Sequence, residues 1–303
     1  MNMKKKLLTS YINGNYTVIL FDDGTKIRET VDDEFVPVYP ECCDVHISDC
    51  CDNGCPMCYA DCSPNGEFAD LNQPWIETLM PGMELALNLN YPFHPELIPF
   101  LKKLKDKGVI ANITINQKHF MEHLDFINML VDEKLVYGIG VSLTDPTKRF
   151  IHEIKRYPNA VIHTIAGILT KEQLDELSDN NLKILILGYK IKGRGNEYLS
   201  RHVEVADRIK WLSTNIKSYV NKFKVISFDN LALEQLNVKD ILSTKEWDEF
   251  YQGDDGDFTF FINMVDQTFC KNSLVPKEST EIYPVLSNVK DMFTIIRSRK
   301  GMK

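Results

Sequence analysis

Seven of the eight cysteines in this 303-residue chain lie between residues 42 and 62. The densest part, Cys51 to Cys58, reads CDNGCPMC, a C-x3-C-x2-C spacing. Three thiolates on one short loop can each bind one iron of a 4Fe-4S cubane, and Gly54 permits the backbone turn that such a wrap requires. The missing fourth cysteine leaves one iron open. An open metal position is where a substrate or cosubstrate binds.

A structural zinc site is the main alternative, because C-x2-C knuckles commonly bind zinc. A zinc module normally has a second knuckle or a histidine pair at a distance, and near this run the sequence offers only His46. A plain electron-transfer cluster protein is a further alternative. The candidate zinc ligands are Cys42, Cys43, Cys50, Cys55, Cys58 and Cys62.

Cys50 competes with Cys51 for the role of first ligand. Choosing Cys50 changes the spacing to C-x4-C, so Cys51 is favoured. The other cysteines are interpreted as ordinary thiols, with an auxiliary ligand role left open for those near the run. They are Cys42, Cys43, Cys62 and the remote Cys270.

Strand-like and helix-like patterns alternate from about residue 44 onwards. Several strand-like runs are continuously apolar, which is typical of parallel strands buried on both faces. Six strand–helix units in this order predict an α/β fold with a parallel sheet curled into a full or partial barrel. The predicted strands are Asp44–Ser48, Glu84–Asn88, Ile110–Asn116, Tyr137–Leu143, Ala160–Ile168 and Leu182–Tyr189. The predicted helices are Pro95–Lys107, Lys118–Lys134, Pro146–Arg156 and Lys171–Asp179.

Two extensions flank this core. Residues 1–40 are predicted to form β-hairpins, because strand-like runs there lie beside the tight-turn signals Asn13-Gly14 and Asp23-Gly24. Residues 41–195 form the core, and residues 196–303 an α/β extension that completes or caps the same domain. The C-terminal elements are predicted as a helix over Asn196–Phe223, strands over Lys224–Phe228 and Asp257–Met264, and a helix over Val285–Arg297.

Composition narrows the class of protein. The chain is 44% hydrophobic and 26% charged, which is a globular profile, and its net charge of −8 disfavours a duplex nucleic-acid partner. The N-terminus lacks the apolar stretch of a signal peptide, and no run approaches membrane-spanning length. We therefore expect a cytoplasmic protein with no membrane partner. In a reducing compartment, clustered cysteines are more often metal ligands than disulfides.

The cysteine run resembles that of the radical S-adenosylmethionine superfamily. The resemblance covers roughly residues 40–195, and the spacing of Cys51, Cys55 and Cys58 matches fully. The stretches Asn112–His119 and Leu187–Gly195 also look like segments of uncharacterised single-cluster members from bacteria and phages. The resemblance implies a partial (β/α)6 TIM-like barrel and a 4Fe-4S cluster whose open iron binds S-adenosylmethionine. It also implies reductive cleavage to a 5′-deoxyadenosyl radical, with an electron donor such as flavodoxin or ferredoxin.

The sequence departs from this family at two places. The family often has an aromatic residue just before the third cysteine, where this chain has Met57, followed by Tyr59 beyond the cysteine. Both are predicted to contact the cosubstrate, since methionine can pack on an adenine face. The second strand usually ends in a glycine-rich turn, which is replaced here by Asn88 and Asn90. Their side chains are predicted to supply acceptors for the cosubstrate, or these residues tolerate an unusual backbone angle.

Polar residues at other strand ends are expected to line the same pocket. Asn116 ends the third strand and Ser142 the fourth, where each can bind ribose hydroxyls or the methionine carboxylate, or simply cap a local turn. The resemblance also implies that Gly167, Leu187 and Tyr189 pass beside adenine, although packing alone explains small residues there.

A substrate-binding role is predicted for Lys190 and Arg194, which follow the sixth strand, and for Asp229 at a later strand end. The basic pair can hold a phosphate or carboxylate, or form a solvated loop. A small metabolite or a nucleotide is therefore the expected substrate. The sequence does not indicate whether S-adenosylmethionine is consumed or regenerated.

Overall fold

The computed structural model of the protein describes residues 5–298. Residues 1–4 of the predicted N-terminal extension and residues 299–303 of the predicted C-terminal extension lie outside this range. Within it, the chain is an α/β protein with a large, mostly parallel sheet and flanking helices, which confirms the predicted class.

Thirteen strands form two sheets within residues 5–298. They are β1 Leu7–Asn13, β2 Tyr16–Phe21, β3 Lys26–Glu29, β4 Cys42–His46, β5 Glu84–Leu89, β6 Ile110–Asn116, β7 Gly138–Ser142, β8 Ala160–Ile165, β9 Lys183–Leu187, β10 Val225–Phe228, β11 Thr259–Asn263, β12 Thr268–Cys270 and β13 Tyr283–Pro284. The first three form a small antiparallel sheet. The other ten form one sheet in the order β10-β9-β8-β7-β6-β5-β4-β11-β12-β13.

Seven consecutive strands, β4 to β10, lie side by side and run parallel. On the other side of β4, β11 adds in parallel, and β12 and β13 continue antiparallel. The C-terminal extension therefore lengthens the central sheet at both edges. The short strands β12 and β13 were not predicted, because they lack a long apolar run.

Helices fill every crossover between β5 and β10. They and the helices that follow are α1 Leu97–Asp106, α2 Gln117–Glu122, α3 Leu124–Asp132, α4 Lys148–Ile154, α5 Lys171–Leu177, α6 Arg194–Arg201, α7 Glu204–Asn215, α8 Asn230–Gln235, α9 Thr244–Phe250 and α10 Val289–Ser298. Short 3-10 helices span Pro74–Thr78, Ile216–Lys222 and Val238–Ile241. Thr170 caps α5 as predicted, since its hydroxyl accepts from the Gln173 amide.

Two predicted long helices are wrong in length. The helix predicted over Lys118–Lys134 breaks at His123, and the one over Asn196–Phe223 breaks at His202. At both histidines the backbone leaves helical geometry, and both rings stack on a tyrosine, at centroid distances of 4.5 and 3.8 Å respectively. Apolar periodicity continues across both breaks, so it does not reveal them.

The central strands alternate between fully buried and half-buried side chains. Along β8, for example, Ile162 is buried in the core while His163 is half-buried. The prediction that these strands are buried on both faces is therefore wrong. One face packs into the core, and the other borders a cavity of about 460 Å3. The cavity is lined by one side of β5 to β10, including Glu84, Asn112, Gly140, His163, Lys183 and Ser227.

The N-terminal sheet borders one end of this cavity through Leu20, Phe21 and Asp23, and a network of ion pairs holds this sheet to the central one. Glu41 is fully buried and accepts two hydrogen bonds from Arg28, at 2.6 and 3.0 Å, and one from the Tyr16 hydroxyl. Lys26 Nζ lies 2.6 Å from Glu84 and 3.4 Å from Glu41. The predicted hairpin extension is thus the floor of the cavity.

Within residues 5–298, no helix combines the length and apolarity that crossing a bilayer requires.

Candidate functional site

The cysteine loop leaves the C-terminal end of β4, where the sequence predicted it. Its two ends are joined by backbone hydrogen bonds, from Cys51 to Ser63 (2.8 Å) and from Ser63 to Asp49 (3.0 Å). The Asp52 amide donates to the carbonyl of Tyr91, beyond the end of β5, at 2.9 Å. The loop is therefore held at its base and tied to the neighbouring strand end.

The three predicted ligands differ from their neighbours in exposure. Cys51, Cys55 and Cys58 are half-buried, whereas Cys50 and Cys62 are buried. The Cys50 thiol donates to the Pro64 carbonyl at 3.5 Å, so it is directed into the loop base. This environment favours Cys51 over Cys50 as a metal ligand.

The triad Cys51, Cys55 and Cys58 is not arranged around a single ion. Around one tetrahedral zinc, thiolate sulfurs lie roughly 3.8 Å apart, because each Zn–S bond is about 2.3 Å. Among residues 5–298, the sole group of three or more ligand side chains within 4.8 Å of one another lies elsewhere, at His46, Asp49 and Cys62. The three triad sulfurs therefore do not meet the spacing of a single-ion site.

A hydrogen bond favours the thiolate form of Cys58. The Cys62 thiol, which donates to Cys58, lowers the pKa of Cys58 to about 6, assisted by backbone amides and by Arg194. The same bond raises the pKa of Cys62. At Cys55, the sulfur accepts from Asn53 Nδ2 at 2.8 Å. Thiolates are the form that binds metals.

Burial acts in the opposite direction at Cys51. It raises the pKa of Cys51 above its usual value, and the nearby thiols of Cys55 and Cys58 raise it further. Three clustered thiols resist losing all their protons together unless a positive charge binds among them. A metal ion or cluster carries such a charge.

Arg194 clamps the cysteine loop instead of offering a free anion site. Its Nε donates to the Cys55 carbonyl and its Nη2 to the Cys62 carbonyl, both at 3.1 Å. The preceding Gly193 has a φ of 54°, and a β-carbon there would lie 2.6 Å from the Tyr59 carbonyl. Only glycine lets this segment approach the loop so closely.

Lys190 and Asp229, the other predicted substrate residues, also have partners. Lys190 Nζ lies 4.0 Å from the centre of the Tyr59 ring and 2.7 Å from the Ser273 hydroxyl. The Asp229 carboxylate accepts from the amides of Ala232 and Gly188, both at 2.8 Å, so it caps α8. Burial nevertheless raises the pKa of Asp229.

Asn88 and Asn90 bind backbone atoms at the start of the cysteine loop. Both side-chain amides donate to the Ser48 carbonyl at 2.8 Å, and Asn88 Oδ1 accepts from the Ile47 amide at 2.6 Å. These asparagines therefore connect the end of β5 to the residues after β4. Both side-chain oxygens were predicted to accept hydrogen bonds from the cosubstrate. Asn88 Oδ1 already accepts from the Ile47 amide, so Asn90 Oδ1 is the remaining candidate of the two.

The structure brings Asn116 and Ser142 together. They are paired residues at the C-terminal ends of β6 and β7, as the sheet order requires. Asn116 Oδ1 caps α2 by accepting from the Lys118 amide at 2.8 Å. The local-cap interpretation of Asn116 is thus correct, and its carboxamide stays at the edge where the cysteine loop lies.

The predicted adenine-side residues are mostly explained by packing. Gly167 has a φ of 84°, and a β-carbon there would lie 2.7 Å from Val205. Tyr189 is buried, and its hydroxyl donates to the Gly195 carbonyl at 2.7 Å. Leu187 pairs with Ile165 at the end of β9 and is half-buried. Among these residues, only Leu187 presents a side chain outside the core.

Sequence reasoning missed a histidine–carboxylate pair beneath the cysteine loop. His119 Nε2 lies 2.6 Å from Asp52, which follows Cys51 directly. The imidazole is 1% exposed, and its Nδ1 has no hydrogen-bond partner among the described residues. His123, one helical turn further along the chain, stacks on Tyr91.

Two titratable side chains inside the sheet were also missed. Asp44 is surrounded by protein yet reaches solvent, and burial raises its pKa to about 6, opposed by Lys190. Burial lowers the pKa of His163 to about 4, so the imidazole is neutral at pH 7. Gly140 makes room for it, since a β-carbon there would lie 2.3 Å from the ring. In the sequence, each of the two could have been recognised as a polar residue inside an otherwise apolar strand.

No protein-family model matches the sequence, and no curated protein matches it.

Proposed function

We propose that this protein is a radical S-adenosylmethionine enzyme that holds a 4Fe-4S cluster on Cys51, Cys55 and Cys58. The observation that carries the proposal is the triad itself. Its three thiols are half-exposed on a C-x3-C-x2-C loop at the C-terminal ends of parallel strands, and they do not converge on one ion. When bound, the cluster supplies an electron to S-adenosylmethionine, giving methionine and a 5′-deoxyadenosyl radical that abstracts hydrogen from the substrate.

The chain's own residues prepare this site in three ways. Asn53 donates a hydrogen bond to the Cys55 sulfur, and hydrogen bonds to the sulfurs of a cluster tune its reduction potential. Arg194 fixes the path of the loop through two carbonyls. Asn116 and Ser142, at adjacent strand ends, are the proposed residues that orient the cosubstrate.

The strands β4 to β9 are proposed to form a partial (β/α)6 TIM-like barrel. Two contacts of the N-terminal sheet support curvature. Lys26 pairs with Glu84 on β5, while Lys183 on β9 donates to the carbonyl of nearby Asp23 at 2.9 Å. In a flat sheet, β5 and β9 are about 19 Å apart, because neighbouring strands are separated by about 4.8 Å. One short hairpin reaches both more readily if the sheet curls around it.

A small molecule or nucleotide is the proposed substrate, with flavodoxin or ferredoxin as electron donor. The cavity of about 460 Å3 lies within the range of small-molecule sites, and the N-terminal sheet closes its floor. Its walls offer the polar groups of Asn112, Thr114, His163 and Ser227, beside the charged Glu84 and Lys183. Such groups suit a ligand recognised by hydrogen bonds.

Reductive cleavage of S-adenosylmethionine tests the proposal. The protein is purified and reconstituted without oxygen, then mixed with dithionite and S-adenosylmethionine, and 5′-deoxyadenosine is quantified. We expect release that requires dithionite and disappears in Cys55→Ala. An iron-containing protein that releases none would favour an electron carrier, and a colourless zinc protein would favour a zinc-stabilised binding module.

A further inference from the structure

A second group of metal-binding side chains lies beside the cysteine triad. His46, Asp49 and Cys62 offer ligand atoms that all lie within 4.8 Å of one another. His46 and Cys62 are 6% and 8% exposed. The Asp49 carboxylate is half-buried, which leaves a route for an ion from solvent. The three residues come from the end of β4, the following turn and the far end of the cysteine loop.

The backbone holds these ligands in place without an ion. The Asp49 amide donates to Glu67 at 2.9 Å, and its carbonyl accepts from Ser63, the residue after Cys62, at 3.0 Å. Gly66 packs so tightly that a β-carbon there would lie 2.2 Å from the Asp49 carbonyl oxygen. The carboxylate and the thiol therefore converge because the two chain segments are joined, which lowers the entropic cost of binding an ion.

The donor set is chemically selective. An imidazole nitrogen, a carboxylate oxygen and a thiolate sulfur together suit Zn²⁺, whereas Mg²⁺ and Ca²⁺ prefer oxygen alone. His46 Nε2 now lies 2.6 Å from Asp49 Oδ1, a hydrogen bond that an ion would replace. Asn90 Nδ2 lies 3.7 Å from the Cys62 sulfur, so it can orient the thiolate as outer partners of metal ligands do.

We propose that His46, Asp49 and Cys62 bind one divalent cation of the zinc class, with a water in the fourth position. The ion ties the end of β4 to both ends of the cysteine loop, and its binding releases the Cys62 thiol proton to solvent. None of its ligands belongs to the C-x3-C-x2-C triad, so the proposal does not depend on an iron cluster.

Cobalt(II) titration tests this site, because thiolate-bound cobalt has an intense near-ultraviolet charge-transfer band. The full chain carrying Cys51→Ala, Cys55→Ala and Cys58→Ala serves as parent, so that triad thiols cannot contribute. We expect one Co²⁺ per chain, a charge-transfer band, and displacement by one equivalent of Zn²⁺. Adding Cys62→Ala should abolish the band, while Asn90→Ala should weaken binding roughly 10–100-fold.

Matched variants guard against misfolding as an explanation. His46→Gln and Asp49→Asn keep hydrogen-bonding groups of similar size, and each should weaken Co²⁺ binding at least tenfold while leaving the Tm of the metal-free chain nearly unchanged. Cys270→Ala, remote from the site, should bind Co²⁺ as the parent does. The proposal is overturned if the parent shows no band at millimolar Co²⁺ or if the band persists after Cys62→Ala. Iron and sulfide content of the unsubstituted chain tests the cluster separately.

Discussion

The two ends of the central sheet treat polar side chains in opposite ways. At the floor, Arg28 and Lys26 pair with the fully buried Glu41, and Lys26 also pairs with Glu84. At the opposite end, the cysteine loop is held mainly through its backbone, and the triad thiols are half-exposed. One end satisfies its own side chains, and the other leaves sulfur atoms for a ligand.

This difference between the two ends predicts that one end mainly determines stability and the other mainly determines metal binding. Side chains that are fully paired contribute to the free energy of unfolding, whereas groups held in place with open valences are prepared for a ligand. Substitutions at the floor should therefore lower stability without changing metal content at a given folded fraction. Substitutions around the cysteine loop should change metal content at a smaller cost in stability.

Removing the floor carboxylate should have the largest effect on stability. Glu41→Ala leaves Arg28 without its buried partner and Lys26 with Glu84 alone, and breaking such a buried pair costs about 3–5 kcal/mol. Urea unfolding measures this loss. The exposed Glu77, paired with Lys103 at the surface, provides the matched control, and Glu77→Ala should cost less than about 1 kcal/mol. Equal losses of unfolding free energy in the two variants would contradict the claim that the buried Glu41 network stabilises the protein more than a surface ion pair does.

A crowded glycine in the loop base should have the next largest effect. Gly66→Ala places a β-carbon against the Asp49 backbone, and such overpacking costs about 1–3 kcal/mol. It should also lower iron content by displacing the loop. A β-carbon at Gly54 would meet no neighbouring atom. Gly54→Ala should therefore lower the free energy of unfolding by only about 1 kcal/mol, because alanine disfavours the left-handed backbone with its φ of 60°. Iron analysis of both variants, with unfolding curves, checks this; a greater iron loss in Gly54→Ala contradicts it.

A conservative change at the clamp should have a smaller effect. Arg194→Lys keeps the charge but cannot bridge the Cys55 and Cys62 carbonyls together, since lysine lacks the planar fork. We expect a stability loss of about 1 kcal/mol and faster iron loss to a chelator. Arg156→Lys, an exposed surface substitution, should leave both quantities unchanged. Unchanged chelation kinetics in Arg194→Lys would show that the clamp does not hold the site.

The pH dependence of stability should differ in sign between two carboxylates. Hydrogen bonds from Arg28 lower the pKa of Glu41 against its burial, so its contribution is present above pH 4.5 and is lost as the pH falls through the folded pKa. Burial raises the pKa of Asp44 to about 6, so stability falls as the pH rises through 6. Asp44→Asn should therefore gain stability relative to the wild type between pH 5 and pH 7. Parallel curves of unfolding free energy would contradict this.

Local signals in the sequence predicted much of the fold. The strand predicted over Ile110–Asn116 is β6 itself, and Thr170 caps α5. The position of the cysteine loop after the first parallel strand is also confirmed. Apolar periodicity, capping residues and turn signals each depend on neighbours along the chain, so one sequence is enough to recognise them.

Side-chain partners could not be predicted in the same way. Asn90 binds a carbonyl 42 residues away and Arg194 one that is 139 residues away, so their partners depend on the finished fold. Polar residues at strand ends predicted ligand contacts, but Asn88 and Tyr189 serve the protein's own backbone. The cluster, the cosubstrate and the radical chemistry stay predictions from the cysteine spacing.

Iron content of two neighbouring cysteine variants is the most direct test of the cluster assignment. The wild type, Cys51→Ala and Cys50→Ala are isolated without oxygen, reconstituted with iron and sulfide, and analysed for both elements. The wild type and Cys50→Ala should be brown and hold about four irons per chain, whereas Cys51→Ala should lose them. A colourless wild type that carries zinc, or iron loss confined to Cys50→Ala, would contradict a cluster on Cys51, Cys55 and Cys58.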